Sequence, residues 1–218
     1  MKKQMQVFRT PAEYLDWFDS LVGTAKRVGE DKENALLHKG PYKVLHEEIF
    51  PTASLLRRKS QEWTNSRFRN VLGNQTYDVE VQNNLLNYIE ITCTDFDEGE
   101  RFRMLKLLNM GHVSAAGTVL RDDKDRPVDI AEDARCTDEV VDERLNLIVK
   151  AINKKAEKKY PDKTGLLVYF DDFSVILRDC DLVRLKDALK ETRSKWASVF
   201  EAVFLVGPRG EVLIEDKR

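Results

Sequence analysis

The run Leu166-Leu167-Val168-Tyr169-Phe170 constrains this chain more than any other stretch. Five successive apolar residues bounded by turn signals suit a strand buried on both faces, and such a strand lies inside a sheet that helices cover on either side. The segment before it, Thr137 to Tyr160, carries the strongest helical pattern in the chain. Val141, Leu145, Ile148 and Ile152 form one stripe, acids lead the segment and lysines end it, in agreement with the helix dipole. After the apolar run, Leu182, Leu185, Leu189 and Trp196 mark another helix, and Ala202–Val206 and Glu211–Ile214 flank a Gly207-Pro208-Arg209-Gly210 turn. Helix, strand, helix, strand in that order implies at least one parallel pairing.

The N-terminal half completes the pattern. Thr10-Pro11-Ala12-Glu13 is a helix start, with a cap, a proline at the first helical position and a glutamate three after the cap. A second helix is expected from about residue 41 to 60, bent at Pro51, with a polar stretch at 61–75 behind it. Thr76–Val81 and Leu85–Thr94 alternate and are rich in β-branched residues, which predicts a hairpin. A helix over 97–109 and a second hairpin across 112–130, turning in Asp122-Asp123-Lys124-Asp125, follow. The expected architecture is α/β, a mixed central sheet flanked by helices over residues 41–218, behind an N-terminal helical segment over residues 1–40.

Composition narrows the setting. With 218 residues the chain can bury a sizeable core, and 36 Lys+Arg against 38 Asp+Glu give a net charge of −2 that does not announce a nucleic-acid binder. No apolar run approaches the roughly 18 residues of a membrane span. Three cysteines, far apart and without a C-x-x-C pair, argue for a reducing compartment. The expectation is a cytoplasmic protein with no membrane partner. Phosphate-binding glycine loops and the G-x-S-x-G elbow are absent, and Phe50 stands where a zincin helix begun by His46-Glu47 needs its second histidine. Most ATPases, dehydrogenases, nucleophile-elbow hydrolases and zinc proteases are thereby set aside.

What remains is a set of carboxylates around the first hairpin. Asp78 in Tyr77-Asp78-Val79-Glu80-Val81 and Glu90 in Tyr88-Ile89-Glu90-Ile91-Thr92 both alternate with apolar neighbours. If the strands pair, the two can share a hard divalent cation, Mg²⁺ or Mn²⁺, which suits phosphodiester displacement. In the preceding helix, Val44, Leu45, Ile49, Leu55 and Leu56 define the apolar face. At about 100° per residue Glu48 falls inside that face and Glu47 outside it. A carboxylate on the packed side needs a partner, either a site or an arginine, so Glu48 is the third candidate. Glu80, two residues from Asp78, adds a fourth acid on that strand face, and Asp171 and Asp172 follow the buried strand.

An acid on a helix, an Asp on one strand, a Glu-x-(Lys) on the next, then helix and strand, resembles the PD-(D/E)XK restriction-endonuclease-like superfamily. The similarity extends, in element order, over roughly residues 42–215, and the text around Leu107–Val113 and Leu166–Phe173 is similar to uncharacterised bacterial and phage proteins with this core. The resemblance implies a nuclease with Asp78 and Glu90 as metal ligands, Glu48 completing the site, DNA or RNA as partner, and a homodimer. Two departures stand out: Thr92 occupies the lysine position, and no proline precedes Asp78. Lys106, or its neighbours Arg101 and Arg103, is the expected replacement for the lysine. The alternative is a non-catalytic binding protein of bacterial defence or a phage that reuses the core. The basic cluster Arg57, Arg58, Lys59, Arg67 and Arg69 is read either as the phosphate-contacting surface or as a solvated helix end.

Overall fold

A computed structural model describes residues 2–25, 32–94, 98–113, 118–131, 136–170, 172, 178–208 and 212–218. A short helix α1 (Lys2–Met5) precedes α2 (Pro11–Ala25) and α3 (Lys32–Leu36). A longer helical run then comprises α4 (Pro41–Val44), a widened π turn (Leu45–Ile49) and α5 (Phe50–Lys59). Strands β1 (Arg67–Asn70), β2 (Val79–Gln82) and β3 (Tyr88–Cys93) follow. Next come α6 (Glu98–Met110), β4 (Val119–Arg121), β5 (Pro127–Ile130) and α7 (Thr137–Ala156). The chain continues through β6 (Thr164–Tyr169), α8 (Asp179–Glu191), α9 (Arg193–Trp196), β7 (Ala202–Val206) and β8 (Leu213–Lys217).

Six strands form one mixed sheet in the order β1-β2-β3-β6-β7-β8, and β4 and β5 make a separate antiparallel pair. The sheet begins as an antiparallel meander, β1 to β3. It then turns parallel, β6 beside β3 with Glu90 level with Leu166, and β7 beside β6. β8 closes it antiparallel to β7. The expected mixed α/β sheet and the first hairpin are therefore present, and the 122–125 turn does join β4 to β5.

Alternation along the strands divides the core into two. Ile89, Ile91, Leu167, Phe204 and Val206 face the layer of α2, the π turn and α5. Leu166, Val168, Phe170, Val203 and Leu205 face α7, α8 and α9. Met5, Tyr14 and Phe18 belong to the first of these clusters, so the helical segment ahead of residue 40 packs into the same core as the sheet. It is tied down further by Arg9, whose backbone pairs with Phe68 of β1, and by the Tyr14 hydroxyl, which donates to Asn70 at 2.7 Å.

β1 was not expected, since 61–75 reads as polar; only Phe68 and Asn70 of it are buried. Trp63 is buried too, with Phe68 stacked on it and Phe204 against its edge. Of the three cysteines, Cys136 and Cys180 are exposed and Cys93 is half-buried. Among the described residues no helix is long and apolar enough to cross a membrane.

Candidate active site

Pro51 decides how the acidic helix meets the sheet. A proline has no N–H to give to the carbonyl four residues earlier, and that carbonyl is Glu47's. The backbone widens into the π turn just ahead of the proline, with Phe50 N–H donating to Leu45 O. The Glu47 carbonyl instead receives the Cys93 thiol of β3 at 3.6 Å. The predicted bend is thus a widened turn, a feature frequent at functional sites, and it pins Glu47 and Glu48 against β3.

On the sheet side, β2 and β3 pair as far as Val79↔Ile89. One residue beyond, the Asp78 N–H donates to the Ile89 carbonyl at 3.0 Å. The next free donor on β3, the Ile91 N–H, goes to the Asp78 carboxylate at 2.8 Å rather than to a backbone carbonyl. The ladder opens at this point, and Asp78 stands in the notch. Glu90 is buried (8% exposed) on the face of β3 opposite Ile89 and Ile91, toward α7.

Asp78, Glu90 and Glu48 are close enough to act on one another. Burial pushes Asp78 up to about 6; the Glu90 charge adds to this, and the Ile91 N–H and Lys155 oppose it. Burial pushes Glu48 up to about 8, and Asp78, Glu47 and Glu90 each raise it further against Lys43. The Glu48 Oε2 atom is buried without a hydrogen-bond partner. Packing-side placement of Glu48 was legible from the helical wheel; that Asp78, not an arginine, is its strongest charged neighbour was not.

The residue that the sequence did not reveal is Lys155. From the last turn of α7 its ammonium forms an ion pair with Glu90 Oε1 and donates to the Ile91 carbonyl at 3.3 Å. It puts a lysine ammonium beside Glu90, where Lys106 was expected. Lys106, expected there, is engaged by Asp129 of β5 and lies over the Phe102 ring; Arg103 pairs with Glu100. A helix directly after β3 is near in sequence, but α6 packs on β5; the helix that reaches Glu90 is α7, which packs on the adjacent strand β6 and extends Lys155 to β3. Lysines at the end of an amphipathic helix were the available signal, absorbed by the dipole argument. Tyr160, just past α7, completes the surroundings; burial and the Glu90 and Asp78 charges push its hydroxyl up.

The other candidates fall elsewhere. Glu80 is turned into Arg69 and takes the Tyr77 hydroxyl at 3.4 Å, so it is no fourth ligand. The basic cluster is dispersed. Lys59 is buried (4% exposed) between Glu62 and Glu215. Arg57 pairs with Asp19 at 3.2 Å and covers Phe18, and Arg69 covers Phe8. Arg58 and Arg67 are exposed. Lys59 and Arg69 are thus taken up by carboxylates within the fold, and Lys59 in particular holds α5 to β8.

His112 is exposed, its Nδ1 3.1 Å from the Met110 carbonyl. Asp172 is buried beneath Gly207, where a Cβ would lie 2.0 Å from its carboxylate, so position 207 accepts only glycine. Asp171, Glu132, Asp133 and residues 209–211 lie outside the described residues.

The donor set at the notch suits a hard cation: oxygens only, one of them orphaned, with the Glu90 charge raising the pKa of both Asp78 and Glu48. Among the described residues no three His, Cys, Asp or Glu side chains are already gathered as a cage. Comparison with protein-family models, curated proteins and solved structures gave no match to this chain.

Proposed function

We propose that this chain is a divalent-metal-dependent nuclease of the restriction-endonuclease-like kind, hydrolysing phosphodiester bonds of DNA or RNA at the Glu48–Asp78–Glu90–Lys155 cluster. The observation that carries the reading is the convergence of three carboxylates, from the π turn, from just ahead of β2 and from β3, on one opened stretch of the sheet, with a lysine seated on Glu90. The element order supports it as well: an acid-bearing helix, an antiparallel meander with Asp78 and Glu90 on neighbouring strands, then a helix and a strand parallel to β3.

In this reading Asp78 and Glu90 would hold Mg²⁺ or Mn²⁺, with Glu48 as a third carboxylate beside them. When bound, such an ion neutralises charge developing on the phosphodiester and makes a nearby water more acidic. Lys155, between Glu90 and the Ile91 carbonyl, holds the Glu90 carboxylate in place and offers a cationic donor at the point where an attacking water must be steadied. Glu48, with its carboxyl near 8, accepts or holds a proton around neutral pH.

The test is cleavage of a panel of DNA and RNA with Mn²⁺ or Mg²⁺ by the wild-type chain, Glu90→Ala and Lys155→Gln. Both substitutions are expected to cut the rate at least a hundredfold. No cleavage of any substrate by the wild type sinks the proposal. The Glu90–Lys155 ion pair itself favours the second reading, a binding protein on a degenerate core, because it already satisfies one of the two ligands. That reading predicts an inert protein whose stability Mn²⁺ does not change.

A further inference from the structure

The dispersal of the 57–69 cluster leaves the question of what would hold a polyanion near the carboxylates. Between residues 154 and 163 the chain carries Lys154, Lys155, Lys158, Lys159 and Lys163 against Glu157 and Asp162. Lys155 is turned inward onto Glu90, while Lys154, Lys158, Lys159 and Lys163 are exposed. Among the described residues none of these four has an ion-pair partner. Helix-dipole attraction does not account for three of them, because α7 ends at Ala156 and the effect fades within the last turn.

This segment borders the site. The Asn87 and Tyr88 N–H groups both donate to the Lys163 carbonyl, at 2.9 and 3.3 Å, so Lys163, just ahead of β6, lies beside the start of β3, three register positions before Glu90. There Tyr88 meets Tyr77, ring centroids 4.2 Å apart, and both are half-buried, so neither is consumed by the core. Tyr77 precedes Asp78 and Tyr88 lies two before Glu90, so the pair marks the same edge of the notch. Cations for phosphates beside open aromatic rings are the two parts of a single-strand binding surface; paired bases in a duplex cannot stack on such rings.

We propose that Lys154, Lys158, Lys159 and Lys163, together with the Tyr77–Tyr88 pair, form a surface that holds single-stranded nucleic acid against the carboxylate cluster. The proposal rests on the nuclease reading and deepens it by naming the substrate class. Phosphates lie along the lysine arc, and a base stacks on the tyrosines.

The experiment measures binding without turnover. The full chain, in EDTA, is titrated into a labelled mixed-sequence 20-nucleotide DNA, the same sequence as RNA, and the DNA duplex, with anisotropy read over a range of salt. Single strands are expected to bind about tenfold or more tighter than the duplex, and the two single-strand arms distinguish DNA from RNA. Replacing the four exposed lysines by Gln is expected to weaken binding and flatten the log K against log salt slope by about 3, at roughly 0.7 per phosphate contact. Tyr88→Leu, which keeps an apolar side chain, should lower single-strand affinity about tenfold with the slope unchanged. A wild type that does not bind at low salt, a preference for duplex, or variants that bind as the wild type does overturns the proposal. Binding without metal-dependent cleavage removes the nuclease reading and leaves the surface standing; cleavage that the lysine and Tyr88 variants leave untouched removes the surface and leaves the nuclease.

Discussion

Glu90 is a buried carboxylate with one cationic partner, and that partner is 65 positions away in sequence. Removing only one member of such a pair leaves a charge in a poorly solvated place, which costs about 3 kcal/mol or more. Lys155→Met is therefore expected to lower the melting temperature by roughly 6–12 °C for a chain of this size, and Glu90→Gln added to it should restore much of the loss. A double-mutant cycle by thermal denaturation checks this; equal stability of Lys155→Met and wild type would show that the pair is not coupled. Glu48 gives a pH signature. Its folded pKa, about 8, lies above the ordinary 4.5, so the folded state binds more protons between those values and stability falls as pH rises through them, by at most about 1.4 kcal/mol per pH unit. His38 acts in the opposite sense at lower pH: burial pushes it down to about 4 from 6.5, so stability rises as pH climbs between those values. The clean window is thus pH 6.5–8. In chelator the wild type should lose stability across it, and Glu48→Gln should flatten the loss; an unchanged slope would refute the assignment. The carboxylates were legible because each owes its position to local periodicity, period 2 for Asp78 and Glu90 and about 100° per residue for Glu48. Lys155 was not legible, because its place depends on which helix reaches Glu90.

At the scale of elements, the basic stretch from Arg57 to Arg69 shows how composition misleads when topology is unknown. Five cations within thirteen residues look like one patch, yet α5 and β1 lie on either side of Trp63, and Arg57, Lys59 and Arg69 each meet a different part of the fold. Lys59 is the extreme case. Its ammonium is held by Glu62 and Glu215 and faces the Trp63 ring at 5.4 Å, which fastens the end of α5 to β8. Lys59→Met should cost about 1–3 kcal/mol in denaturant unfolding, since it leaves Glu62 and Glu215 to Lys217 alone, while leaving nucleic-acid affinity unchanged. A loss of affinity in a protein of wild-type stability would return Lys59 to the phosphate surface. β1 escaped sequence reading for a related reason. Four residues, Arg67-Phe68-Arg69-Asn70, carry one apolar side chain, and their pairing is dictated by β2 and by the Arg9 bridge rather than by their own pattern. The apolar β6, by contrast, was unmistakable, because a central parallel strand must be apolar on both faces.

Across the whole molecule, helix layers on both faces of a mixed sheet leave few places where polar groups from different layers can meet. Glu48 belongs to the layer carrying α5, and Lys155 to the layer carrying α7, with β3 between them. They converge only because β2 stops pairing at Val79, which opens the sheet beside Glu90. A cation bound in that gap would join both helical layers through the sheet, so its effect should appear as global stability rather than as local ordering. A ligand that binds only the folded state at a hundred times its dissociation constant adds about 2.7 kcal/mol, or roughly 5–10 °C here. Saturating Mn²⁺ is therefore expected to raise the melting temperature by that amount at pH 7.5, and less at pH 5.5, where Glu48 and much of Asp78 are protonated and a cation must displace those protons. Asp78→Asn and Glu90→Gln should both abolish the shift; in the metal-free protein Asp78→Asn removes a repelling charge and is expected to be at least as stable as wild type, whereas Glu90→Gln strands the Lys155 ammonium and is expected to be less stable. A shift that survives both substitutions would place the cation elsewhere in the molecule, and no shift at any pH would leave the carboxylates as neighbours held apart by Lys155.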